Sequence, residues 1–468
     1  MPSSLLSKAA HYFTQLIGPS QVLSSSTELA AWQSDWSKNF CSTPALVLLP
    51  ATTAEVSAIM AYCWQHRLPV VPSGGRTGLV GGAMAGPHEI ILSLQRMNKV
   101  IGIDRHNMSI ESEAGVITAE LQRLAATEQL YFPIDLAAKG SCQIGGNIAT
   151  NAGGLKFIRF SGTREQVLGL EVVLADGRVL NLNRSLRKDN SGYDLKHLFI
   201  GSEGTLGIIT RATLRLAPQP REVQLLCLAV DSLEQLSTIF TLSQERGLVL
   251  SAFEFFSQLA YQKVRHCFPQ VRQLTSEQTA YYGLMEIEGD HRSLSPQVEE
   301  FSQEVFDKGL AVDGIMAISS LERQELWFVR ESITESLSVW GHVRKNDISL
   351  PLSAIAAFCH DLSAVKISAD DNHEVVLFGH LGDGNIHLNY IAPRAADGKE
   401  FKQAAELFSQ QVLRLIQAYR GSISAEHGIG LLKKADLSFT RSNEEIVIMK
   451  QIKSLFDERN ILNPGKIF

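Results

Sequence analysis

Cysteine is scarce in this sequence, and the cysteines are not clustered. Six cysteines are spread over 468 residues, and no Cys-x-x-Cys pair occurs. This spacing argues against a disulfide framework and against a metal site built from thiolates. It fits a reducing compartment, and we therefore expect a cytoplasmic protein.

Long apolar runs and basic runs are also missing. No apolar run approaches the roughly 18–20 residues of a membrane-spanning helix, so we predict no transmembrane segment. The first residues, MPSSLLSKAAHYFTQLIG, contain a single lysine and predict an amphipathic helix rather than a signal peptide. The formal net charge is −6 at pH 7, and without a basic run we expect no nucleic acid partner.

Two nucleotide-binding motifs are absent. Gly-x-x-x-x-Gly-Lys-Ser/Thr does not occur, which excludes a P-loop NTPase. No Gly-x-Gly-x-x-Gly follows a predicted strand, which argues against a Rossmann dinucleotide site and against a nicotinamide cofactor. What remains is an ordinary globular composition, 45% hydrophobic and 20% charged, and a length typical of two to three domains.

Glycine, by contrast, is concentrated in three segments. They are PSGGRTGLVGGA at 72–83, GSCQIGGNIATNAGG at 140–154 and GSEGTLGIIT at 201–210. Glycine lets the backbone approach a ligand closely, and consecutive N–H groups in such turns bind anions. The segments contain few charges, Arg76 and Glu203 among them. They therefore predict a diphosphate-containing ligand held mainly by backbone amides and by Ser and Thr hydroxyls.

Helical and strand patterns are mixed along the whole chain, so the predicted fold class is α+β. TTAEVSAIMAYCWQHRLPVVPSGG predicts a helix capped at Thr53, followed by a strand. QVLGLEVVLADGRVLNL predicts a β-hairpin with Asp176 and Gly177 at its tip. The PQP at 218–220 is the best candidate for a domain boundary.

The segment FGHLGDGNIHLNY at 378–390 places two histidines around a tight turn. Asp383-Gly384 favours a two-residue type I′ loop, which predicts that His380 lies directly opposite His387. Directly opposed side chains have Cβ atoms roughly 4.5–5.5 Å apart, close enough to share a metal ion. Two half-buried histidines bonded to backbone are the alternative, and the hairpin by itself leaves both open.

A third metal ligand is available in SISAEHGIG at 422–430. Glu426 would complete a His-His-Glu set that leaves coordination positions open, as catalytic metal sites do. Zinc or manganese would suit such a set. The alternative is that Glu426 and His427 only cap a helix or a turn.

The glycine segments and the histidine segments together resemble one flavoprotein family. PSGGRTGLVGGA, GGNIATNAGG and GSEGTLGIIT are similar to the FAD-binding signatures of the vanillyl-alcohol oxidase family, also called the PCMH-type flavoproteins. FGHLGDGNIHLNY, AEHGIG and NILNPGKIF resemble the C-terminal half of its D-2-hydroxyacid dehydrogenase branch. The resemblance implies a PCMH-type FAD-binding domain of two α+β subdomains at 1–220, a substrate-binding α+β domain at 221–420, and a C-terminal segment at 421–468 that returns to the flavin and metal site.

The resemblance also implies which residues bind FAD. Some family members tether the flavin through a histidine, and the 72–83 loop has none, so we predict non-covalent FAD. Asp135 in FPIDLA stands where relatives carry a Pro-x-Asp stretch near the flavin. The predicted FAD-binding residues are Pro72, Ser73, Gly74, Gly75, Arg76, Thr77, Gly78, Gly81, Gly82, Asp135, Ser141, Gly145, Gly146, Asn147, Thr150, Asn151, Gly153, Gly154, Glu203, Gly204, Gly207, Ile208 and Asn463.

The resemblance assigns roles around the metal as well. In the similar dehydrogenases the positions of His380, His387 and Glu426 bind a divalent metal, and the adjacent His427 is the base. A metal chelated by the C1 carboxylate and the hydroxyl of a 2-hydroxyacid acidifies the hydroxyl, and His427 would take its proton. FAD would accept the hydride from C2.

Substrate size is indicated by LWFVRESITESLSVWGHVRKNDISLP, which predicts a helix running into a strand. Arg330 and Thr334 are four residues apart and are predicted to share a helical face, with Lys345 on the next element. A solvated face is the alternative. In members that act on D-2-hydroxyglutarate these positions hold substrate carboxylates, and Asn389 is also predicted to contact substrate. Two cations besides a metal suit two carboxylates.

The predicted reaction is therefore the oxidation of a D-2-hydroxyacid to the 2-oxoacid, with D-2-hydroxyglutarate as the leading substrate. D-lactate or glycolate is the nearest alternative. A metal hydrolase and a non-catalytic FAD-binding subunit of a glycolate-oxidase-type complex are the other readings, and the co-occurrence of both motif sets argues against them. An electron-transfer flavoprotein or a quinone is the expected electron acceptor, and a homodimer is allowed.

Overall fold

The structure is a computed structural model that describes residues 3–275, 279–290, 293–365 and 372–468. It divides into two compact units. The first comprises Met1–Gly154, Ser161–Gln219 and Glu426–Phe468, and the second comprises Leu155–Phe160 and Pro220–Ala425. Each unit combines helices with strands, which confirms the predicted α+β class.

The α-helices of the described residues, numbered in chain order, are α1 (Ser3–Ile17), α2 (Ser26–Ala30), α3 (Thr53–His66), α4 (Thr118–Thr127), α5 (Ile144–Thr150), α6 (Phe157–Phe160), α7 (Thr163–Gln166), α8 (Lys196–Phe199), α9 (Leu233–Glu245), α10 (Gln258–Cys267), α11 (Leu294–Asp307), α12 (Ser320–Glu331), α13 (Ile333–Trp340), α14 (Ile355–Ser363), α15 (Gly398–Ala418) and α16 (Asn443–Phe456).

The strands of the same residues are β1 (Val22–Leu23), β2 (Leu46–Leu48), β3 (Val70–Ser73), β4 (Ile90–Ser93), β5 (Val100–Asp104), β6 (Ser109–Glu113), β7 (Leu130–Tyr131), β8 (Val167–Val173), β9 (Val179–Asn181), β10 (Ile208–Arg215), β11 (Ala217–Pro218), β12 (Glu222–Val230), β13 (Val249–Ser257), β14 (Tyr281–Gly289), β15 (Asp313–Ala317), β16 (Gly341–Ser349), β17 (Glu374–His380) and β18 (Asn385–Pro393).

The first unit contains two larger sheets. One has the strand order β1-β2-β4-β3, in which β2, β4 and β3 run parallel. The other has the order β5-β6-β10-β8-β9 and is antiparallel throughout. The predicted hairpin at 167–181 is confirmed, because Val173 pairs with Val179 and Gly177 occupies the left-handed region at φ 89°.

Glycine loops begin or end at buried strands of this unit. The first loop follows β3, and the third leads into β10, whose residues are almost all buried. Helix α3 precedes β3 as predicted, but its cap is Thr52, whose side chain accepts the Glu55 N–H, so the predicted cap at Thr53 is wrong by one residue. These rigid elements fix the ends of the loops.

The C-terminal segment is part of the first unit. Leu462 forms a parallel bridge with Val70 on β3, and the N–H groups of Val70 and Asn463 bond across it. Ile461 and Leu462 are buried in the main core of the unit together with residues of α1 and α3 such as Phe13 and Ile59. The last residues of the chain are therefore held beside the strand that enters the first glycine loop.

The second unit is built on one antiparallel sheet with the order β15-β12-β14-β13-β17-β18-β16. Apolar residues of α10, α12 and α13 pack on it, including Val264, Val329 and Leu337. The short segment 155–160 also belongs here. Its Lys156 forms a buried ion pair with Glu286 on β14. A sequence reading gave no reason to assign this segment to the second unit.

No helix in the described part of the chain is both long enough and apolar enough to cross a bilayer.

Candidate active site

The three glycine segments line one cleft in the first unit. Backbones approach closely there, since a Cβ on Gly75 would lie 2.2 Å from the Ser141 carbonyl oxygen. Only glycine permits that contact. The predicted FAD-binding residues that line the cleft are Pro72, Ser73, Gly74, Gly75, Arg76, Thr77, Gly78, Gly82, Gly145, Gly146, Asn147, Thr150, Glu203, Gly204, Gly207 and Ile208.

The other predicted FAD-binding residues do not line this cleft. They are Gly81, Asp135, Ser141, Asn151, Gly153, Gly154 and Asn463. Asn463 supports the loops instead. Asn463 is buried and donates to the carbonyls of Gly82 and Glu203, which ties the first loop to the third. Asp135 forms an ion pair of 2.7 Å with Lys139.

The cleft has the features of a ligand cradle. Ser73 Oγ and Gln143 Oε1 are buried on its wall and have no hydrogen-bond partner within the described residues, so a bound polar group would satisfy them. A Cβ on Gly146 or Gly78 would meet no atom of the described residues within 4 Å, so both backbones face open space there. Residues with these properties fit a phosphate-bearing cofactor such as FAD.

Arg76 is the cation on this wall. Its guanidinium lies over the Trp32 ring, 4.2 Å from the centroid, and donates to the Ala31 carbonyl. Burial lowers the pKa of Arg76 from its ordinary value. The residue therefore braces the segment before the first loop as well as lining the cleft.

Glu203 connects the third glycine loop to His427. Its backbone is left-handed at φ 50°, an unusual conformation for a residue other than glycine. Its carboxylate accepts the N–H groups of Ile429 at 2.7 Å and Gly430 at 2.9 Å. Burial raises its pKa, although these two bonds oppose the rise. Because Glu203 fixes the turn after His427, it holds that histidine on the wall of the cleft.

The histidine hairpin of the second unit differs from its predicted register. β17 and β18 pair with His380 opposite Asn385 and Phe378 opposite His387, so the predicted direct pairing of the two histidines is wrong. The loop is longer than two residues because Leu381–Asp383 form a 3-10 turn that ends at Gly384 with φ 83°.

The two histidines nevertheless meet on one face of the sheet. The Nε2 atoms of His380 and His387 lie 3.4 Å apart. Two nitrogens that each lie about 2.1 Å from one tetrahedral zinc ion are themselves about 3.4 Å apart. The distance between the two Nε2 atoms therefore suits a shared ion, although the register differs from the predicted one.

Each histidine has an acidic residue directly opposite on the neighbouring strand. His380 pairs with Glu254 on β13, and its Nδ1 lies 2.7 Å from Glu254 Oε1. His387 pairs with Asp347 on β16, and its Nδ1 lies 3.6 Å from Asp347 Oδ1. Carboxylates in this position orient histidines that bind metals through Nε2. The sequence alone did not predict that either acid contacts a histidine.

Glu254 is the more deeply buried of the two acids, with 1% of its side chain exposed. Burial would raise its pKa, but the neighbouring His380 and Arg330 side chains outweigh burial and lower it. A single Glu within the apolar strand VLSAFEFFS is the signal that sequence reading could have used, since a buried carboxylate needs a partner.

The remaining predicted metal and base residues belong to the first unit. Glu426 is its first residue after the second unit ends at Ala425, and it is followed at once by His427. His427 Nε2 lies 3.6 Å from Glu426 Oε1. Ala425, the last residue of the second unit, donates its N–H to the carbonyl of Asp347. The second unit therefore ends next to the residue that pairs with His387.

The four predicted substrate residues lie on four elements of the second unit. The predicted continuous helix is divided at Ser332. Arg330 is therefore near the end of α12, where it is buried, and Thr334 is in α13, where it is half-buried. The two residues therefore do not share one unbroken helical face. Lys345 on β16 pairs with Asn389 on β18, and burial lowers the pKa of this lysine.

Arg330 carries buried donors. Its Nη2 lies 2.7 Å from Glu254 Oε2, close enough for an ion pair but not aligned for a hydrogen bond. Its Nε is buried and has no hydrogen-bond partner in the part of the chain that the structure describes. A substrate carboxylate is the kind of group that such donors bind.

Two family models together match most of the chain. The FAD binding domain matches residues 44–183, and the C-terminal domain of FAD linked oxidases matches residues 219–467. Among solved structures, p-cresol methylhydroxylase is similar with a TM-score of 0.77 at 15% identity, over 100% of this chain and 97% of that one. A 4-ethylphenol oxidase from Gulosibacter chungangensis gives 0.76 at 17%, over 100% and 98%. These likenesses show the PCMH-type fold.

Curated relatives extend over nearly the whole chain. A D-2-hydroxyglutarate dehydrogenase of Stutzerimonas stutzeri is 40% identical over 97% of this chain and 97% of its own. Mitochondrial proteins of that name from Arabidopsis thaliana and Rattus norvegicus are each 40% identical, over 99% and 100% of this chain and 82% and 86% of theirs. This chain is therefore an FAD-dependent oxidoreductase that belongs to the FAD-linked oxidase family, in the branch that includes D-2-hydroxyglutarate dehydrogenases.

Proposed function

We propose that this protein oxidises D-2-hydroxyglutarate to 2-oxoglutarate with FAD and a divalent metal. The observation that carries the proposal is the group formed by buried Arg330, Glu254 and His380 with half-buried His387, in a chain that belongs to this family. In this group a cation that can bind a carboxylate lies close to two histidines whose Nε2 atoms are spaced as two ligands of one metal ion would be. The names of the curated relatives support the choice of substrate.

FAD is held by the glycine cleft without a covalent bond in this proposal. Backbone N–H groups of the 72–83 and 140–154 loops receive the diphosphate, and Ser73 and Gln143 provide polar groups that now lack partners. When bound, FAD supplies the two-electron oxidant for the C2 hydrogen of the substrate. Acid precipitation should release the flavin into the supernatant, and flavin that stays with the pellet would contradict non-covalent binding.

The proposed metal ligands are His380, His387 and Glu426, with zinc or manganese as the ion. The donor set fits, since imidazole nitrogens and a carboxylate suit either metal. Such an ion supplies Lewis acidity that lowers the pKa of the substrate hydroxyl. Glu254 and Asp347 orient the rings through Nδ1.

His427 is the proposed base. It takes the hydroxyl proton as the C2–H bond breaks, so the substrate loses one proton and one hydride. Glu203 keeps this histidine on the cleft wall through the N–H groups of Ile429 and Gly430. A base that is held in place by buried bonds requires little rearrangement before the reaction.

Arg330 and Lys345 bind the substrate carboxylates, assisted by Thr334 and Asn389. Arg330 has buried donors that need an acceptor, and Lys345 is mostly buried on the strand next to Asn389. A second carboxylate brought into such surroundings needs charged partners. The proposal therefore favours a dicarboxylate over D-lactate or glycolate.

We further propose that an electron-transfer flavoprotein or a quinone reoxidises the flavin, and that the protein works in the cytoplasm. A homodimer is compatible with the proposal. The chain contains no nicotinamide-binding fingerprint. Reoxidation of the substrate-reduced protein by each candidate acceptor in stopped flow would identify the acceptor.

Anaerobic reduction of the bound flavin tests the substrate most directly. The purified protein is mixed with D-2-hydroxyglutarate, L-2-hydroxyglutarate, D-lactate or glycolate, and loss of the visible absorption of oxidised flavin is followed. D-2-hydroxyglutarate should reduce the flavin fastest, and the L-isomer should not reduce it. Faster reduction by D-lactate or glycolate would assign the monocarboxylate instead, and no reduction by any of them would overturn the proposal.

A further inference from the structure

Glu254 contacts both a proposed metal ligand, His380, and a proposed substrate-binding residue, Arg330. It is on β13, directly opposite His380, and its two oxygens face different partners. Oε1 lies 2.7 Å from Nδ1 of His380, and Oε2 lies 2.7 Å from Nη2 of Arg330. One buried carboxylate thus contacts both a proposed metal ligand and a proposed substrate-binding cation.

The contact with His380 determines which ring nitrogen carries the proton. A carboxylate at 2.7 Å accepts a hydrogen bond, so Nδ1 of His380 is the donor. In the neutral ring the lone pair is then on Nε2, the atom that faces Nε2 of His387. Glu254 therefore presents the correct nitrogen for a shared ion.

The contact with Arg330 determines where the guanidinium points. Arg330 lies with its guanidinium carbon 4.8 Å from the centroid of the Phe378 ring, and Glu254 pairs with one end of the group. Phe378 in turn packs against His387, with ring centroids 4.9 Å apart. The guanidinium is thus clamped between a carboxylate and an aromatic ring, which leaves Nε as a buried donor for a ligand.

We propose that Glu254 is a positioning residue that sets the tautomer of His380 and the direction of Arg330 at the same time. This inference rests on the proposed function, because it assigns Glu254 a role toward the metal and the distal carboxylate of that reaction. Loss of Glu254 should therefore weaken metal binding and dicarboxylate selection together.

Glu254→Gln is the informative change because it keeps the shape and removes one acceptor. Gln has a single carbonyl oxygen, which the charged Arg330 should attract, and its NH₂ group then faces His380. A donor at that place needs an unprotonated Nδ1, so the proton moves to Nε2 and blocks the metal-binding nitrogen. The variant therefore opposes metal binding without creating a cavity.

Metal affinity is measured with Mn²⁺ alone on FAD-loaded protein from which metal was removed by a chelator. Glu254→Gln should bind Mn²⁺ about 10- to 100-fold more weakly than wild type, the usual loss for such an outer carboxylate. Glu374→Gln is the matched control. Glu374 is an acid on the same strand as His380, paired with Lys263 at 2.5 Å, and its loss should leave Mn²⁺ affinity unchanged.

A double variant separates orientation from general damage. In Glu254→Gln with Arg330→Met the competing cation is gone, so the Gln oxygen turns to His380 and Mn²⁺ affinity should return toward wild type. Single-variant affinity equal to wild type, or a double variant as weak as the single one, would overturn the inference.

Substrate kinetics give the second readout. Glu254→Gln should raise KM for D-2-hydroxyglutarate more than KM for D-lactate when both are assayed at saturating Mn²⁺, because only the dicarboxylate needs Arg330 in its place. Equal increases for both substrates would remove the Arg330 half of the inference.

A measurement on the wild-type protein covers the case in which Glu254→Gln does not fold. Nitrogen-15 NMR of the metal-free, FAD-loaded protein reports the tautomer of His380, assigned with His380→Gln. A neutral ring protonated only at Nδ1 supports the inference, and a neutral ring protonated only at Nε2 overturns it. If wild type binds no Mn²⁺ at all, the metal part of the proposed function fails as well, whereas metal binding that is insensitive to Glu254 leaves that function standing.

Discussion

The two units build their candidate sites from different materials. The cleft of the first unit is made of glycine backbone, with few charged side chains and open space beside Gly146. The site of the second unit is made of buried and half-buried polar side chains, and strand register places His380 opposite Glu254 and His387 opposite Asp347. Backbone amides suit a cofactor whose diphosphate is the same in every turnover. Paired side chains suit a substrate that must be distinguished from others of similar size.

Blocking the cleft should have the largest effect. Gly146→Leu places a side chain in a space where an added Cβ would meet no atom of the described residues within 4 Å, so FAD should no longer bind and all dehydrogenase activity should be lost. Gly102→Leu is the control, because Gly102 also has open space but lies on β5, outside the cleft lining. Flavin content after gel filtration checks the prediction. Full flavin content in Gly146→Leu would show that this backbone does not face the cofactor.

Removing the proposed base should have the next largest effect. His427→Asn should lower kcat by roughly 10²- to 10⁴-fold, the usual contribution of a positioned general base, while FAD stays bound. The measurement is the rate of anaerobic flavin reduction at saturating D-2-hydroxyglutarate. A rate within tenfold of wild type would assign the proton to another group and leave His427 only as a residue of the cleft wall.

Changing the cations of the second unit should separate substrates rather than abolish chemistry. Arg330→Ala or Lys345→Ala should lower kcat/KM for D-2-hydroxyglutarate roughly ten- to a hundredfold or more, because a hydrogen bond to a charged group is lost. At least one of them should affect D-lactate much less, since D-lactate lacks the second carboxylate. Equal losses on both substrates in both variants would mean that these residues bind the common C1 carboxylate.

Glu203 should show the smallest effect, which is a pH dependence of stability. Burial raises its pKa in the folded protein above the ordinary value. Below its ordinary pKa, Glu203 is protonated in both the folded and the unfolded protein. Between the ordinary pKa and the raised pKa only the unfolded protein loses this proton, so the free energy of unfolding decreases as pH rises. The free energy of unfolding of wild type relative to Glu203→Gln should therefore fall as pH rises over that interval. Denaturant titrations at several pH values measure it, and a difference that rises with pH would contradict the direction.

The glycine cleft was predictable because its signal is local. The PSGG, GGNIATNAGG and GSEG stretches each specify a backbone shape within a few residues, and the structure places them around one cleft. The glycine pattern could not distinguish a residue that faces the cleft from a residue that supports the loops around it. Gly145 and Gly146 are neighbours, yet a Cβ on Gly145 would lie 2.6 Å from Ala114 Cβ, whereas one on Gly146 would meet nothing.

The side-chain site was harder to predict because its partners come from distant strands. Turn chemistry favoured a two-residue loop, but the 3-10 turn at Leu381–Asp383 shifts the register, and the histidines meet diagonally. Glu254 precedes His380 by more than a hundred residues, and only the pairing of β13 with β17 brings them together. The division of the helix at Ser332 likewise follows no Pro or Gly signal in the sequence.

Metal removal tests the central claim most directly. FAD-loaded protein is treated with a chelator, and flavin content and the rate of flavin reduction by D-2-hydroxyglutarate are measured before treatment, after it, and after Mn²⁺ or Zn²⁺ is restored. The two-site account predicts that flavin content stays constant, that reduction is lost, and that one of the metals restores it. If the metal-free protein keeps its flavin, and D-2-hydroxyglutarate reduces that flavin at the original rate, the result would contradict a metal role for His380, His387 and Glu426.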